Sequence, residues 1–252
     1  MAVNRRQVLG TVVAASLLSS RSHSTVAQST PVATSAVTPD YAIARVRRLP
    51  TPDLAAAIVP DVLATFLPRT AALPGYAGYV ISAHVTDPTA TISLTLLAGE
   101  AAAAAADQVG REYVAALDRR FVTETPVADQ GPLRIYQPAS RPATELPPFL
   151  NRCLFTMRHR RNAPGADIEA VIARNTADLT PRLAAMPGFV LYAWLQTADG
   201  RTALNIWETP DQQAAGNELV AGWVAANTAE TTTGPPVVND GVVVYADIPG
   251  FI

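Results

Sequence analysis

The sequence predicts an α+β fold made of two consecutive copies of one βαββαβ unit. The main observation is an internal repeat, in which Leu73-Pro74-Gly75-Tyr76 returns as Met186-Pro187-Gly188-Phe189 with flanking residues in register. The offset is 113 residues from Tyr41 to Tyr79 and 110 residues after about Ser93, so one loop differs by three residues. Each copy is roughly 100 residues long, which is the length of one compact domain.

The first copy, assigned to residues 41–138, begins with a strand and a capped helix. Thr51 followed by Pro52 is typical of a helix start, and apolar residues recur at every fourth position from Ile58 to Phe66. Pro60 is expected to bend this helix. The predicted elements are a strand over 41–48, a helix from 52, strands over 79–85 and 91–97, a helix over 100–117 and a closing strand over 133–136.

The second copy, assigned to residues 153–252, shows the same order. Asp199-Gly200 is a hairpin signal between its second and third strands, and Pro181 is expected to close or kink its first helix. A proline-rich linker over residues 139–152 joins the copies. The predicted elements are a strand over 154–161, a helix from 166, strands over 190–196 and 202–207, a helix over 210–226 and a strand over 242–245.

This element order describes a ferredoxin-like unit, in which two helices cover one face of an antiparallel sheet and leave the other face bare. Two units in one chain can place their bare faces together and form an intramolecular α/β barrel. The space between the two sheets is then the expected ligand site. We expect a monomer, because the duplication supplies both halves of the barrel, and pairing between two chains as a dimer stays open.

The first residues predict an export signal over residues 1–27. Arg5 and Arg6 precede an uncharged run from Val8 to Ser20, and small residues follow. The pattern resembles a twin-arginine signal and predicts a periplasmic, cell-envelope or extracellular location; the general secretory route stays open, because Asn4 stands where Ser or Thr is usual. Residues 28–40 predict a flexible linker. An uncleaved signal would anchor the protein, whereas the mature form is expected to have no membrane span.

Composition excludes several function classes. Removing residues 1–27 reduces the 19 basic residues to 16 and leaves all 21 acidic ones, so no nucleic-acid partner is expected. The absence of lysine excludes Schiff-base chemistry and a phosphate-loop nucleotide site. Cys153 is the single cysteine, so no internal disulfide can form. The mature chain keeps only His84 and His159 and has no Gly-x-Ser-x-Gly motif, so we expect no metal, no cofactor and no recognisable nucleophile.

The second copy carries a family resemblance. The Pro-Gly turn at Pro187-Gly188, then Asn205-Ile206-Trp207-Glu208-Thr209 and a following helix, resemble the antibiotic biosynthesis monooxygenase-like family of the dimeric α/β-barrel superfamily. The resemblance implies the fold but leaves the reaction open, because relatives include cofactor-independent monooxygenases, haem enzymes, isomerases and domains without known activity. Leu97 occupies the position of Trp207 in the first copy, so the resemblance implies a family-like site in the second copy alone. Haem-degrading relatives carry a histidine on the helix that follows this strand. The resemblance therefore disfavours haem degradation, because the helix after Trp207 contains no histidine.

Strand alternation predicts which side chains face the ligand, since residues two apart share a face. We expect Leu94 and Leu96, matched by Leu204 and Ile206, to pack on the helices, so that their neighbours face the opposite sheet. A slip of one residue would reverse every assignment. The candidate ligand-binding residues are Arg45, Tyr79, Thr156, Arg158, Tyr192, Trp194, Gln196, Asn205 and Trp207.

Three hypotheses about function follow from this pocket. The protein binds a small aromatic or apolar molecule and oxidises it as a cofactor-independent monooxygenase, with Arg158 stabilising a substrate anion and Trp207 and Asn205 positioning the substrate. Alternatively, it binds such a ligand without turning it over. The third hypothesis is a structural or interaction protein whose barrel is filled by its own side chains. Retention of Trp207 beside Asn205 favours a small-molecule ligand.

Overall fold

The computed structural model describes residues 37–121, 126–140 and 153–248. The predicted export signal and most of both predicted linkers lie outside these residues. In the described part, each copy contains four strands and two long helices, and short 3₁₀ turns follow the second helices. The elements of repeat one are β1 (Tyr41–Arg48), α1 (Pro52–Ala71), β2 (Tyr76–His84), β3 (Ala90–Leu97), α2 (Glu100–Ala116) and β4 (Val127–Pro138).

Repeat two gives the same order of elements as repeat one. Its first helix, α3, is continuous through three segments, Ile168–Arg174, Asn175–Leu179 and Thr180–Ala184. The other elements of repeat two are β5 (Leu154–Asn162), β6 (Phe189–Gln196), β7 (Gly200–Trp207), α4 (Pro210–Asn227) and β8 (Thr232–Asp247).

The predicted helix start in repeat one is confirmed, whereas the irregularity in this helix lies beyond Pro60, where the bend was expected. The backbone N–H of Leu54 donates to Thr51 Oγ1 at 3.3 Å. Midway, α1 widens into a π turn over Val62–Phe66, and α3 does the same over Asn175–Leu179, at the offset of 113 residues. Each π turn ends shortly before a proline, Pro68 or Pro181, whose missing N–H removes an ordinary helical hydrogen bond there.

The eight strands close into one barrel within the chain, in the order β1-β3-β2-β8-β5-β7-β6-β4. The last strand of each repeat makes the closure, because β4 pairs with β1 of its own repeat and with β6 of the other, and β8 pairs with β5 and β2. A β-carbon on Gly131 would lie 1.8 Å from the carbonyl oxygen of Gln196 across the β4–β6 pair. Glycine therefore permits the close approach of the two repeats.

The predicted inward and outward faces of the strands are reversed in the structure. Leu94, Leu96, Leu204 and Ile206 belong to one apolar cluster that draws on both repeats, so they fill the barrel interior rather than the helix layer. The candidate ligand-binding residues that alternate with them lie on the outer face, beneath the helices. Both faces of these strands are buried, and an apolar pattern that is buried on both sides cannot indicate which face lies inside.

The two histidines share that interior face and are both partnered. His159 Nδ1 lies 3.1 Å from Asp129 Oδ2 and 3.1 Å from Thr202 Oγ1. His84 Nε2 lies 3.4 Å from Asn239 Oδ1. The strand alternation that predicts an inward Arg158 would place His159 on the helix side, so the same reversal applies to His159. Both side chains therefore belong to the barrel structure.

Of the helices in the described residues, α1 is long and apolar enough, by length and composition, to cross a membrane. Its apolar side chains have a different use here. Ile58, Val62 and Phe66 are buried together with Tyr79 and Ile81 of the sheet, so they form the helix layer of repeat one.

Candidate functional site

Repeat one holds a cavity of about 530 Å³ between its sheet and its helices. This volume lies in the range of small-molecule sites, which is roughly 300–1,000 Å³. The floor is the outer face of β1, β2 and β3, the walls come from α1 and α2, and the start of β4 lies at one side. We call it the repeat-one cavity; its apolar and aromatic walls include Ile58, Val62, Phe66, Tyr79, Ile81 and Tyr113.

A glycine in the middle of α2 helps to keep the cavity open. A β-carbon on Gly110 would have only Arg45 Nη2 and Phe66 Cε2 nearby, both at 3.9 Å. Glycine costs a helix interior about 1 kcal/mol relative to alanine, and no steric contact requires it here. Its effect is to leave space between α2 and the sheet.

The two phenols of the cavity are uncharged at neutral pH. Burial raises the pKa of Tyr79 to about 12, although hydrogen bonding to Ser93 and the nearby arginines act in the opposite direction. The hydroxyl of Tyr113 donates to Asp61 Oδ2 at 2.6 Å. Burial has the larger effect and this carboxylate the smaller, and both raise the pKa of Tyr113. Both groups therefore act as hydrogen-bonding walls and not as bases.

The charged lining of the cavity is mostly positive. Arg45 Nη2 lies 3.0 Å from Asp107 Oδ1, and Arg111 contacts the other oxygen of the same carboxylate. Arg47 also lines the cavity, and in the described part of the chain it has no carboxylate partner. Three arginines therefore face one aspartate, in a protein whose formal net charge is -2.

In repeat two, aromatic side chains fill the corresponding layer. Trp207 is fully buried, and its ring stacks edge-on against Phe189 with centroids 5.7 Å apart. A β-carbon on Gly216 would lie 2.2 Å from Trp207 Cζ2, so α4 needs glycine where it crosses this ring. The layer also contains Tyr192, Trp194, Val220 and Trp223.

The structure separates the nine candidate residues into three groups. Arg45 and Tyr79 line the repeat-one cavity. Two others are engaged elsewhere, since Thr156 Oγ1 donates to Asp240 Oδ1 at 2.6 Å and Gln196 Oε1 accepts from Arg134 at 2.6 Å. The remaining five lie in the filled layer of repeat two, and their role in ligand binding stays a prediction: Arg158, Tyr192, Trp194, Asn205 and Trp207.

That filled layer contains buried polar atoms without hydrogen-bond partners. They are both amide atoms of Asn205, Nη1 of Arg158 and Nε1 of Trp207. Tyr192 is satisfied, because Asn175 Nδ2 donates to its hydroxyl oxygen at 2.6 Å. An unsatisfied buried polar group costs about 1–3 kcal/mol, so these atoms reduce the stability gained from packing this layer.

Several cavity residues were missed from the sequence, and two of them gave usable signals. Arg47 is two residues from Arg45 on the same strand and therefore shares its face. Gly110 interrupts an alanine-rich helix, which indicates a packing or functional reason. Phe66 and Tyr113 gave no signal that distinguishes a cavity wall from a packed core. In the part of the chain that the structure describes, no group of three or more His, Cys, Asp or Glu could hold a metal ion.

Comparison with known proteins gives matches in structure alone: no protein-family model and no curated sequence matches the chain. A candidate monooxygenase from Fusobacterium nucleatum subsp. nucleatum has a TM-score of 0.65 at 10% identity, covering 84% of this chain and 95% of that one. A candidate monooxygenase from Lactobacillus acidophilus gives 0.63 at 9% identity, with coverage of 84% and 97%. An anthrone oxidase-like protein gives 0.58 at 15% identity, with coverage of 85% and 95%.

These likenesses confirm the fold expected from the sequence, a ferredoxin-like dimeric α/β barrel formed within one chain. The same fold is found in these two candidate monooxygenases. Identities of 9–15% show the fold alone. The chemistry must be argued from this chain's own residues.

Proposed function

We propose that this protein binds a small aromatic molecule in the repeat-one cavity. The observation that carries the proposal is the cavity itself, about 530 Å³ in volume and lined by helices and sheet. Phe66, Tyr79 and Tyr113 line it, with Phe66 5.8 Å from Tyr79 and 5.6 Å from Tyr113 between ring centroids. A flat aromatic ligand can make further aromatic pairs of this kind with these side chains. The ligand site proposed here lies beneath the helices, not between the two sheets.

The test uses a neutral aromatic probe, 2-naphthamide, and a variant that reduces the cavity. Gly110→Leu places a side chain in the space above the sheet, and we expect it to weaken probe binding by at least about tenfold. Gly222→Leu is the matched control, because Gly222 is also a helical glycine and has no atom within 4 Å of a β-carbon. Isothermal titration calorimetry measures both affinities. Equal binding to the wild type and Gly110→Leu would place the ligand elsewhere and refute this proposal.

A cofactor-independent monooxygenase is the second candidate function. Its support is the fold shared with two candidate monooxygenases and an anthrone oxidase-like protein. Oxidation of an anthrone methylene to a carbonyl consumes one O₂ and releases one water, which balances without an added reductant. The step needs a base to remove a proton, yet the one carboxylate in the described lining, Asp107, is held by Arg45 and Arg111. Binding is therefore better supported than turnover.

Oxygen consumption separates the two functions. A hydroxylated anthrone added to the protein in air-saturated buffer is expected to bind without O₂ uptake above the uncatalysed rate. Uptake that disappears in Gly110→Leu and persists in Gly222→Leu would establish turnover in this cavity instead.

We also propose, from the sequence of residues 1–27, that the protein is exported through the twin-arginine route. Arg5 and Arg6 are the residues on which this rests. Replacing both with lysine keeps the charge and is expected to retain the protein in the cytoplasm. Cell fractionation measures the outcome, and unchanged export of the double variant would favour the general secretory route.

A further inference from the structure

Arg47 lines the repeat-one cavity and has no carboxylate partner among the residues that the structure describes. It lies on β1 directly opposite Thr91 of β3, and both side chains line the cavity. Its flanking arginines are paired, Arg45 with Asp107 at 3.0 Å and Arg48 with Asp87 at 3.1 Å. The side chains that act on the charge of Arg47 are Tyr113, Arg45 and Tyr79, and no described carboxylate is among them.

This arrangement is unfavourable without an opposite charge beside Arg47. The guanidinium is half-buried, and burial, with a smaller contribution from Arg45, lowers the pKa of Arg47. A charge removed from water and left without an opposite charge raises the free energy of the folded state. A bound anion would remove that cost.

The space for such an anion exists because Thr91 is small. In repeat two the matching pair is Arg160 opposite Arg201. The Arg201 guanidinium occupies that region and is fixed by Asn162 Oδ1 at 2.6 Å and by Thr231 Oγ1 at 3.0 Å. Repeat one has a threonine hydroxyl there, which leaves room beside Arg47 and adds a hydrogen-bond donor.

We propose that the repeat-one cavity selects an aromatic carboxylate, with the carboxylate bound by Arg47 and Thr91 and the ring placed against Phe66 and Tyr79. The inference rests on the proposed function and names its ligand class. A guanidinium presents two parallel N–H groups that match the two oxygens of a carboxylate, which distinguishes this anion from a single phenolate oxygen.

The test compares 2-naphthoate, its neutral counterpart 2-naphthamide and the phenolic 2-naphthol by calorimetry on the full chain. We expect the wild type to bind 2-naphthoate about tenfold or more tightly than the other two, since hydrogen bonds to charged groups contribute more than neutral ones. Arg47→Met should abolish that preference, so that 2-naphthoate and 2-naphthamide bind with about equal affinity, while the affinity for 2-naphthamide stays unchanged. Arg160→Met, at the matched position of repeat two, should leave the preference unchanged.

Other outcomes distinguish a failure of the aromatic-site proposal from a failure of the carboxylate inference. Equal binding of 2-naphthoate and 2-naphthamide to the wild type overturns the carboxylate inference and leaves the aromatic site standing. A preference for 2-naphthol would assign the anion site to a phenolate and overturn it too. If neither naphthoate nor naphthamide binds, both proposals fail. If Arg47→Met does not fold, Arg47→Lys replaces it, with an expected partial loss of the preference, because lysine keeps the charge but lacks the fork.

Discussion

The helix layer of repeat one encloses a cavity of about 530 Å³, whereas the same layer of repeat two is packed with aromatic side chains. Matched positions explain the difference. The sheet of repeat one presents Ile81 and Thr91 where repeat two presents Trp194 and Arg201, and α2 presents Gly110 where α4 has Val220. At each of these positions the larger side chain belongs to repeat two.

A second exchange conserves volume instead of changing it. Trp207 of repeat two lies against Gly216, while the matched pair in repeat one is Leu97 with Ala106. The larger strand residue, Trp207, lies against the smaller helix residue, Gly216. The smaller strand residue, Leu97, lies against the larger helix residue, Ala106. Duplication therefore lets one copy be densely packed while the other keeps a cavity between its sheet and its helices. Three predictions test this division, in order of expected effect.

The largest effect is expected from Trp207→Ala, because it removes the largest fully buried side chain of the packed layer. We expect a loss of about 3–5 kcal/mol in the free energy of unfolding. Leu97→Ala is the matched change in repeat one and is expected to cost less, since fewer buried atoms are removed. Urea denaturation followed by circular dichroism measures both. If Leu97→Ala costs as much as Trp207→Ala, the two layers do not differ as proposed.

The second prediction concerns stability at alkaline pH, at which Tyr79 of repeat one and Tyr192 of repeat two are expected to have similar effects. Burial raises the pKa of Tyr79 and of Tyr192 to about 12 from the ordinary value of 10.0. The folded state therefore holds these protons more tightly than the unfolded state, and this stabilisation is complete below pH 10 and is lost as the pH rises towards 12. Each phenol accounts for up to about 2–3 kcal/mol.

Stability measured by urea denaturation from pH 9 to pH 12 tests this expectation, with Tyr79→Phe and Tyr192→Phe each reducing the alkaline loss by a similar amount. A much smaller reduction for Tyr79→Phe would show that water in the open cavity solvates its phenolate. The repeat-one cavity would then hold more water than the burial of Tyr79 indicates.

The smallest effects have opposite signs in the two repeats. Gly216→Ala places a β-carbon 2.2 Å from the ring of Trp207, so overpacking is expected to cost about 1–3 kcal/mol. Gly110→Ala meets nothing nearer than 3.9 Å and improves helix propensity, so it should stabilise the protein by about 0.5–1 kcal/mol. The double variant Trp207→Leu with Gly216→Ala recreates the repeat-one pair, so its loss of stability should be smaller than the sum of the two single losses. Destabilisation by Gly110→Ala would contradict the open space assigned to that position.

The sequence allowed the element order to be predicted nearly completely, because local signals carry it. The Pro-Gly turns, the Thr51-Pro52 helix start and the Asp199-Gly200 hairpin act within a few residues of themselves. The strand limits at the repeat ends were less accurate. The closing strands extend over Val127–Pro138 and Thr232–Asp247, well beyond the predicted 133–136 and 242–245, because each pairs with two partners and one of those belongs to the other repeat.

The site was predicted less well than the fold, and Arg45 and Tyr79 show why. Both were selected by strand parity and both line the cavity, yet they face the helices of their own repeat and not the opposite sheet. Parity groups residues correctly, but it does not indicate which group lies inside a barrel when both faces are buried. The second repeat, favoured because it keeps Trp207, holds that tryptophan as a packed core residue.

Spacing along the chain is sufficient to predict the duplication, the ferredoxin-like order of each copy and the residues that share a strand face. The packed chain is needed to show which face lies inside the barrel and which repeat keeps a cavity between its sheet and its helices. Those outcomes depend on the volumes of side chains far apart in sequence, such as Thr91 beside Arg47 and Gly110 above Phe66. Whether such volumes fill a space or leave it open is settled only when the strands and helices pack together.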